Sequence, residues 1–216
     1  MPETAKPHVS IVPSPFVSSP VPLKSMTCSA ARHGIEDGVR IEDGDLLLWR
    51  GKYFVSRIFE FFSRGWFSHS AIAVNWDNQP MLLQAEFPYI QAVPLWKTVH
   101  KYDGNVYWYK LKPEFRDNGD LDLAKVFEEA RKYLGAKFSV IHVLIAFAHR
   151  YFGQPLPPDP KRPRGMFCAE YVAHCFREGG KALTAKSDIN TFPTDIAESG
   201  NVSFVAKLRT DPEDAI

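Results

Sequence analysis

The chain has 216 residues, of which 45% are hydrophobic, and its 26 lysine and arginine residues nearly balance its 25 aspartate and glutamate residues. This length suits one domain with a sizeable core. A formal net charge of +1 argues against a nucleic acid or an anionic membrane recruited by bulk charge. The 3 cysteines are too few, and odd in number, for a disulfide framework.

The first 36 residues are rich in proline and serine, which disfavours regular helix, and we predict an extended or disordered arm there. A single domain is expected over residues 37–216. The N-terminus lacks the basic start and continuous apolar stretch of a signal peptide, and no apolar run reaches the roughly 18 residues of a membrane span. We therefore expect no transmembrane segment and the cytoplasm by default, while delivery by a non-classical route stays open.

Five apolar segments that follow the arm are bounded by turn signals and are predicted to be strands. The first comes after the Asp43-Gly44 turn, and the second and third form a hairpin that turns at residues 77–80. The predicted strands cover residues 46–49, 68–74, 81–86, 90–95 and 105–111. An aromatic-rich stretch over residues 53–62 is predicted to be a short helix.

After residue 117 the apolar spacing changes to the helical period. It predicts a helix over residues 121–134, a strongly apolar helix over residues 139–152 and, after a proline-rich loop, a helix that begins near Cys168. A last strand is expected over residues 202–208. Because the strands come first and the helices follow, the sequence predicts an α+β domain in which a small antiparallel sheet or barrel packs against a helical layer.

Cys168 lies where the chain passes from a loop into a helix. Unpaired backbone N–H groups and the positive end of the helix dipole stabilise a thiolate at such a place. A small buried hydrophobic residue is the more ordinary interpretation of a cysteine, so the nucleophile hypothesis needs a base and an orienting group elsewhere. Cys175 is two helical turns away, too far for a disulfide, and is expected in the core.

His69 begins an apolar strand, and Glu86 ends the strand that is predicted to pair with it. Neighbouring positions on paired strands bring side chains to roughly 5 Å, so Glu86 could hold the imidazole in one tautomer. One hypothesis follows: Cys168 attacks a carbonyl carbon as a thiolate, His69 carries the proton, and Glu86 orients His69. The backbone N–H of Cys168 could stabilise the oxyanion. A structural histidine and a solvated glutamate are the alternatives.

Four short motifs occur in a fixed order along the chain. They are Gly44-Asp45-Leu46-Leu47, Phe67-Ser68-His69-Ser70-Ala71-Ile72, Gln84-Ala85-Glu86 and Phe167-Cys168-Ala169-Glu170-Tyr171-Val172. Together they resemble the circularly permuted branch of the NlpC-type papain-like cysteine hydrolases, and within it the YiiX-like proteins. In that branch the histidine strand precedes the cysteine, as it does here.

The resemblance covers roughly residues 40–208 and implies a permuted papain-like fold. It implies a catalytic triad of Cys168, His69 and Glu86, acting on an amide bond of a peptide or a peptidoglycan stem. Ser139 stands where many relatives carry an aspartate, and Ala169 where serine is common. These departures bear on the substrate more than on the mechanism.

Further residues of these motifs have lesser expected roles. Tyr171 and Ser70 are candidate substrate contacts, although the core is the more ordinary place for an aromatic residue in this helix. Asp45, after a turn glycine, is expected to cap local backbone N–H groups, and Glu170 to hydrogen-bond a neighbouring segment near the site. The histidines of the apolar helix lack the carboxylate of a zinc site and there is no phosphate-binding glycine loop, so we expect no metal and no cofactor.

Three functional hypotheses stay open. The first is hydrolysis of an amide in a small peptide-like substrate through a thioacyl-enzyme. The second is an acyltransferase or thioesterase acting on lipid or acyl substrates, with the aromatic residues at 59–67 lining an acyl pocket or simply filling the core. The third is a catalytically silent module that binds an amino acid or a peptide. The sequence leaves the oligomeric state undetermined.

A small basic cluster lies beside the predicted active-site entrance. It consists of Lys161, Arg162 and Arg164. A solvated loop is the ordinary interpretation of such a cluster, and contact with an acidic group of a substrate is the alternative.

Overall fold

The structure is a computed structural model, and it describes residues 35–36, 39–51, 66–102, 104–156 and 164–208. The predicted arm up to residue 34, the predicted helix over residues 53–62 and two members of the basic cluster, Lys161 and Arg162, lie outside the described residues. The described strands are β1 (Ile35–Glu36), β2 (Val39–Arg40), β3 (Leu46–Gly51), β4 (His69–Trp76), β5 (Gln79–Glu86), β6 (Tyr89–Pro94), β7 (Gly104–Leu111), β8 (Lys137–Phe138), β9 (Gly165–Met166) and β10 (Val202–Leu208).

The described helices follow the main strands, apart from one that is inserted between β6 and β7. They are α1 (Leu95–Lys101), α2 (Pro113–Arg116), α3 (Leu123–Lys132), α4 (Val140–Phe152), α5 (Cys168–Glu178) and α6 (Pro193–Ala197), with a 3-10 helix at Asp188–Asn190. The predicted α+β class is confirmed. In the part of the chain that the structure describes, no helix is both long and apolar enough to cross a membrane.

Eight strands form one curled sheet in the order β10-β7-β3-β4-β5-β6-β8-β9. Neighbouring strands in this sheet are antiparallel, except that β8 and β9 are parallel. The predicted hairpin is β4–β5, and it turns at Asp77 and Asn78, whose φ angles are 50° and 62°. Two-residue hairpin turns require positive φ, and these two residue types tolerate it.

Both faces of the sheet are covered by apolar contacts, because side chains alternate between the faces along each strand. Leu46 and Ile72 belong to the cluster that includes the helices α3 and α5, whereas Leu47 and Trp49 belong to the cluster beneath α1. Helix α5 packs against β4, β5 and α3, and its residues 168–176 are all buried. This packing places the first residue of α5 near one end of the central strands.

Asp45 is fully buried just before β3. Its Oδ2 accepts hydrogen bonds from the backbone N–H of Glu42 at 2.9 Å and from Nε1–H of Trp108 at 2.8 Å. Its Oδ1 has no hydrogen-bond partner among the described residues. Burial raises the pKa of Asp45 to about 6, against the opposing effect of these two hydrogen bonds and of Lys110.

We predict that Asp45 makes folding less favourable as the pH rises through this range. The pKa of the folded state exceeds the ordinary 3.8, so the folded protein binds the proton more tightly than the unfolded chain does. The resulting loss of unfolding free energy is absent below about pH 4 and is fully present above about pH 6, where it reaches up to about 3 kcal/mol.

Asp45→Asn keeps an acceptor for both donors and removes the titration. In urea unfolding from about pH 4 to about pH 8, the stability of the variant relative to the parent should therefore rise with pH. Two profiles that stay parallel over this range would contradict the assignment.

Candidate active site

Cys168 is the first residue of α5 and follows Phe167, whose backbone is extended. The helix begins here because Glu170 turns back on the helix start: its Oε2 accepts a hydrogen bond from the N–H of Phe167 at 3.1 Å. In the first helical position, the N–H of Cys168 has no partner within the helix and lies at the positive end of the helix dipole. The thiol is largely buried and reaches the wall of a cleft.

Glu170 is a buried carboxylate that joins α5 to α4. Its Oε1 lies 2.7 Å from Nδ1 of His142. Burial raises the pKa of Glu170, while His142 and the N–H of Phe167 act in the opposite direction. The carboxylate therefore stabilises the helix start next to Cys168 and does not line the cleft.

His69 is the first residue of β4 and pairs with Trp49 of β3. The ring centroids of His69 and Trp49 are 4.9 Å apart in an edge-on contact. Ser68 fixes the chain just before the strand, because its N–H and its Oγ both donate to the carbonyl oxygen of Trp49, at 2.8 and 3.2 Å. These contacts hold the imidazole on the wall of the same cleft that Cys168 lines.

The pKa of His69 is raised above its ordinary value of 6.5. Burial is the largest influence and lowers this pKa, but the hydrogen bond and the charge of Cys168 act in the opposite direction and are followed by Gln84 and Glu86. Together these groups outweigh burial. The surroundings of His69 therefore favour its protonated form beside the thiol.

The second partner of His69 is Gln84, where sequence reasoning expected Glu86. Nε2 of His69 lies 3.0 Å from Oε1 of Gln84. An amide oxygen only accepts hydrogen bonds, so Nε2 carries the proton and Nδ1 is left for Cys168. Glu86 lies one step further away: its Oε2 accepts hydrogen bonds from the amide groups of Gln84 and Gln91, each at 2.9 Å. No hydrogen bond or ion pair between the described residues joins Glu86 directly to His69.

The register of the strands explains why Gln84, and not Glu86, contacts His69. If the β4–β5 ladder continued, His69 would lie opposite Glu86, but its last pair in this direction is Ile72–Leu83. Beyond that pair, β4 remains paired with β3, and the His69 ring reaches diagonally to Gln84. Gln84 and Glu86 share one face of β5 because side chains alternate along a strand. The signal that could have revealed Gln84 was a polar residue inside an otherwise apolar strand.

Cys168 and His69 line one cleft with a volume of about 420 Å³. Polar groups on its described wall include Gln84 and Glu86, and the wall is otherwise largely apolar and aromatic. The site thus combines a thiol, an imidazole, an amide that holds the imidazole, and a free N–H at a helix start. Such a set is suited to acyl transfer.

Tyr171 and Ser70, the expected substrate contacts, are not among the described residues that line this cleft. Both are completely buried. The hydroxyl of Tyr171 donates to the carbonyl oxygen of Ala130 in α3 at 2.9 Å, so this side chain ties two helices together. Ser70 points to the face of β4 opposite to His69, and its Oγ has no hydrogen-bond partner among the described residues.

A second buried histidine lies further along α5. His174 contacts Asp188 through Nδ1 at 3.3 Å and Glu129 through Nε2 at 3.4 Å. Burial lowers the pKa of His174, but the two carboxylates raise it above the ordinary value. Even so, the described residues contain no group of three His, Cys, Asp or Glu side chains that could hold a metal ion.

Comparisons with known proteins give a likeness in structure. No family model and no curated protein matches the chain. Among solved structures, the chain is similar to the crystal structure of the metalloprotein YiiX from Escherichia coli O157:H7, described as DUF1105. The TM-score is 0.56 at 13% sequence identity, and the match covers 77% of this chain and 97% of that chain.

At that identity the likeness to YiiX shows the fold alone. Among the described residues, no group of His, Cys, Asp or Glu side chains fits the metal that the description of this neighbour implies. The YiiX-like part of the resemblance is thus supported at the level of the fold. The assignment to the permuted papain-like hydrolases stays a prediction.

Proposed function

We propose that the chain is a cysteine hydrolase that cleaves an amide bond through a thioacyl-enzyme intermediate. The observation that carries the proposal is that Cys168, at the start of α5, and His69, whose Nε2 is held by Gln84, line the same cleft. A helix N-terminus and a neighbouring imidazole both favour the thiolate. A cysteine that only fills space needs neither.

The reaction uses one proton carrier throughout. Sγ of Cys168 attacks the carbonyl carbon while its proton passes to Nδ1 of His69, and the N–H of Cys168 stabilises the oxyanion. His69 then gives the proton to the leaving nitrogen as the C–N bond breaks, which leaves a thioester on Cys168. Water adds to the thioester with His69 as the base. Expulsion of the thiolate releases the acid.

In this proposal Gln84 holds His69, and Glu86 holds Gln84. The oxygen of Gln84 fixes the ring with Nδ1 toward the thiol, and the hydrogen bond to Glu86 fixes the orientation of the Gln84 amide. A neutral amide cannot balance the charge of an imidazolium, so Glu86 supplies negative charge from one residue further away. Glu86 is therefore a positioning residue.

The walls of the cleft favour a second candidate with the same nucleophile, a thioesterase or acyltransferase acting on acyl substrates. Phe87, Phe138, Val140 and Val143 lie on the same cleft as Cys168. An acyl chain would bury apolar surface against them, whereas a peptide needs polar partners for its backbone. In this case the leaving group is an alcohol or a thiol.

Loss of His69 should slow the alkylation of Cys168. Near neutral pH, we expect iodoacetamide to modify His69→Ala about tenfold more slowly than the parent, because the imidazole no longer takes up the thiol proton. Peptide mass spectrometry follows Cys168 separately, with the completely buried Cys175 as an internal control. Equal rates in both proteins would remove the support for a catalytic thiol and favour the binding-module hypothesis.

Replacing Gln84 should cost more activity than replacing Glu86. We expect Gln84→Ala to lower kcat/KM by about tenfold to a hundredfold, and Glu86→Gln by less than about threefold because its amide oxygen still accepts from Gln84. Gln84→Ala should also lower the pKa of His69, measured by NMR, because Gln84 is one of the groups that raise it. Equal losses in the two variants would show that the order of the relay is wrong.

A panel of substrates separates the candidate functions. Matched amide, ester and thioester substrates with short and long acyl chains are incubated with the parent and with Cys168→Ala. Amide cleavage that Cys168→Ala abolishes is the expected result. Cleavage restricted to long-chain esters or thioesters would favour the second candidate. A Cys168→Ala protein that binds a peptide as the parent does, with no cleavage by either, would favour the binding module.

A further inference from the structure

Helix α4 exposes large apolar side chains along one face. Ile141, Leu144 and Phe152 are 60%, 57% and 77% exposed. Their spacing of three and eight residues places them on the same side of the helix. A surface helix normally presents polar residues to the solvent, so this face is the reverse of the usual pattern.

The polar side chains of α4 are engaged with the protein instead. His142 binds Glu170, and Arg150 makes two hydrogen bonds to Asp195, at 2.8 and 2.9 Å. Nδ1 of His149 lies 2.6 Å from a main-chain carbonyl oxygen just after the helix. These polar side chains of α4 therefore bind other parts of the protein, and the apolar face of the helix is exposed to solvent.

The apolar face continues beyond the helix to the mouth of the cleft. Phe87 is 72% exposed, and its ring lies 6.5 Å from that of Phe138, the second-last residue before α4. Phe87, Phe138 and Val140 line the cleft together with Cys168. We use the name apolar rim for five residues of this surface: Phe87, Tyr89, Val140, Ile141 and Leu144.

Two cations lie at the same edge. Lys137 in β8 pairs with both Tyr89 and Gly165, and Arg164 directly precedes Gly165. A side chain at Gly165 would collide with the carbonyl oxygen of Lys137, so the glycine permits this close approach of the two strands. Lys137 and Arg164 are exposed, and neither forms an ion pair with a described residue. The apolar rim is therefore flanked by positive charge.

We propose that the apolar rim, with Lys137 and Arg164, docks on the surface of a membrane that contains anionic phospholipid. Apolar and aromatic side chains favour the boundary between headgroups and acyl chains, and cations favour the anionic headgroups. A second copy of this chain fits less well. A two-fold contact would place each rim against itself and bring the cations of both copies together.

Docking in this orientation turns the cleft toward the bilayer. Phe87 and Val140 belong both to the apolar rim and to the wall that carries Cys168, and Phe138 lies on that wall next to Phe87. An acyl chain could then pass from the bilayer to the thiol across continuous apolar surface. The docking itself rests on the surface residues and is independent of any thiol chemistry.

Vesicle sedimentation tests the proposal with the full chain carrying Cys168→Ala, which prevents turnover. The protein should bind vesicles of phosphatidylcholine with phosphatidylserine, and more weakly at high salt or with phosphatidylcholine alone. We expect the double substitution Ile141→Glu, Leu144→Glu to lower the partition coefficient by about tenfold or more, and Lys137→Glu with Arg164→Glu to lower it on anionic vesicles.

The matched control is Trp76→Glu. Trp76 is another exposed large apolar residue, at the hairpin end of β4 that is opposite to His69. This variant should bind as the parent does. Thermal unfolding checks that all variants are folded. Alkylation of the parent in the presence of vesicles checks that the Cys168 thiol remains unmodified and reactive there.

Three results would overturn the proposal. The first is a folded protein that binds no vesicles. The second is an equal loss of binding in the rim variant and in Trp76→Glu. The third is a dimer that the rim substitutions dissociate without any vesicle binding, which would assign the rim to a second copy. If the protein binds vesicles but the reactivity of Cys168 does not depend on His69, the result contradicts the proposed hydrolase and still supports the docking surface.

Discussion

The first residue of α5 and the first residue of β4 line the same cleft, and this juxtaposition depends on how the helix crosses the sheet. Every side chain from Cys168 to Phe176 is buried, so α5 has little freedom to rotate or slide without exposing apolar surface or opening cavities. Tyr171 adds a direct hydrogen bond to α3. The packing of the core is thus what holds the thiol within reach of His69.

Orientation of the imidazole depends on a different kind of contact. The strands β4 and β5 separate beyond the Ile72–Leu83 pair, which leaves space for a side chain between His69 and the acid at the strand end. Gln84 occupies this position and joins the ring to Glu86. A neutral amide between base and acid keeps the ring in one tautomer while the carboxylate remains at the mouth of the cleft, where solvent reaches it.

The parts of the fold that the sequence predicted are those that local patterns encode. Apolar segments bounded by turn signals located β4, β5 and β7, and the loop-to-helix transition located the start of α5, because each pattern depends only on neighbouring residues. The two-residue strands β8 and β9 are too short to show a period. Helix α1 directly follows the proline that ends β6, and the sequence predicted no element for its residues after Leu95.

The pairing inside the site could be predicted only in part. Cys168 and His69 were named from their residue types and from the family resemblance, and the structure brings them together. Gln84 was missed because its place depends on where a ladder between two strands ends, which the curl of the whole sheet decides. For Tyr171 the sequence favoured the core and left a pocket open as the alternative, and the hydrogen bond to Ala130 of α3 shows its structural contact.

The hydrogen bond between Glu170 and His142 couples the start of α5, which carries Cys168, to the start of α4, which forms part of the cleft wall. Glu170 sits in the first turn of α5 beside the thiol, and His142 sits in the first turn of α4 beside Val140. Separating these helices would leave the buried Glu170 carboxylate without its partner. The free-energy cost of that unpaired group opposes any motion that moves α4 away from α5. The wall at Val140 and the nucleophile therefore move as one rigid piece, and substrates of different width must be accommodated by lining residues on other elements, such as Thr98 and Tyr102.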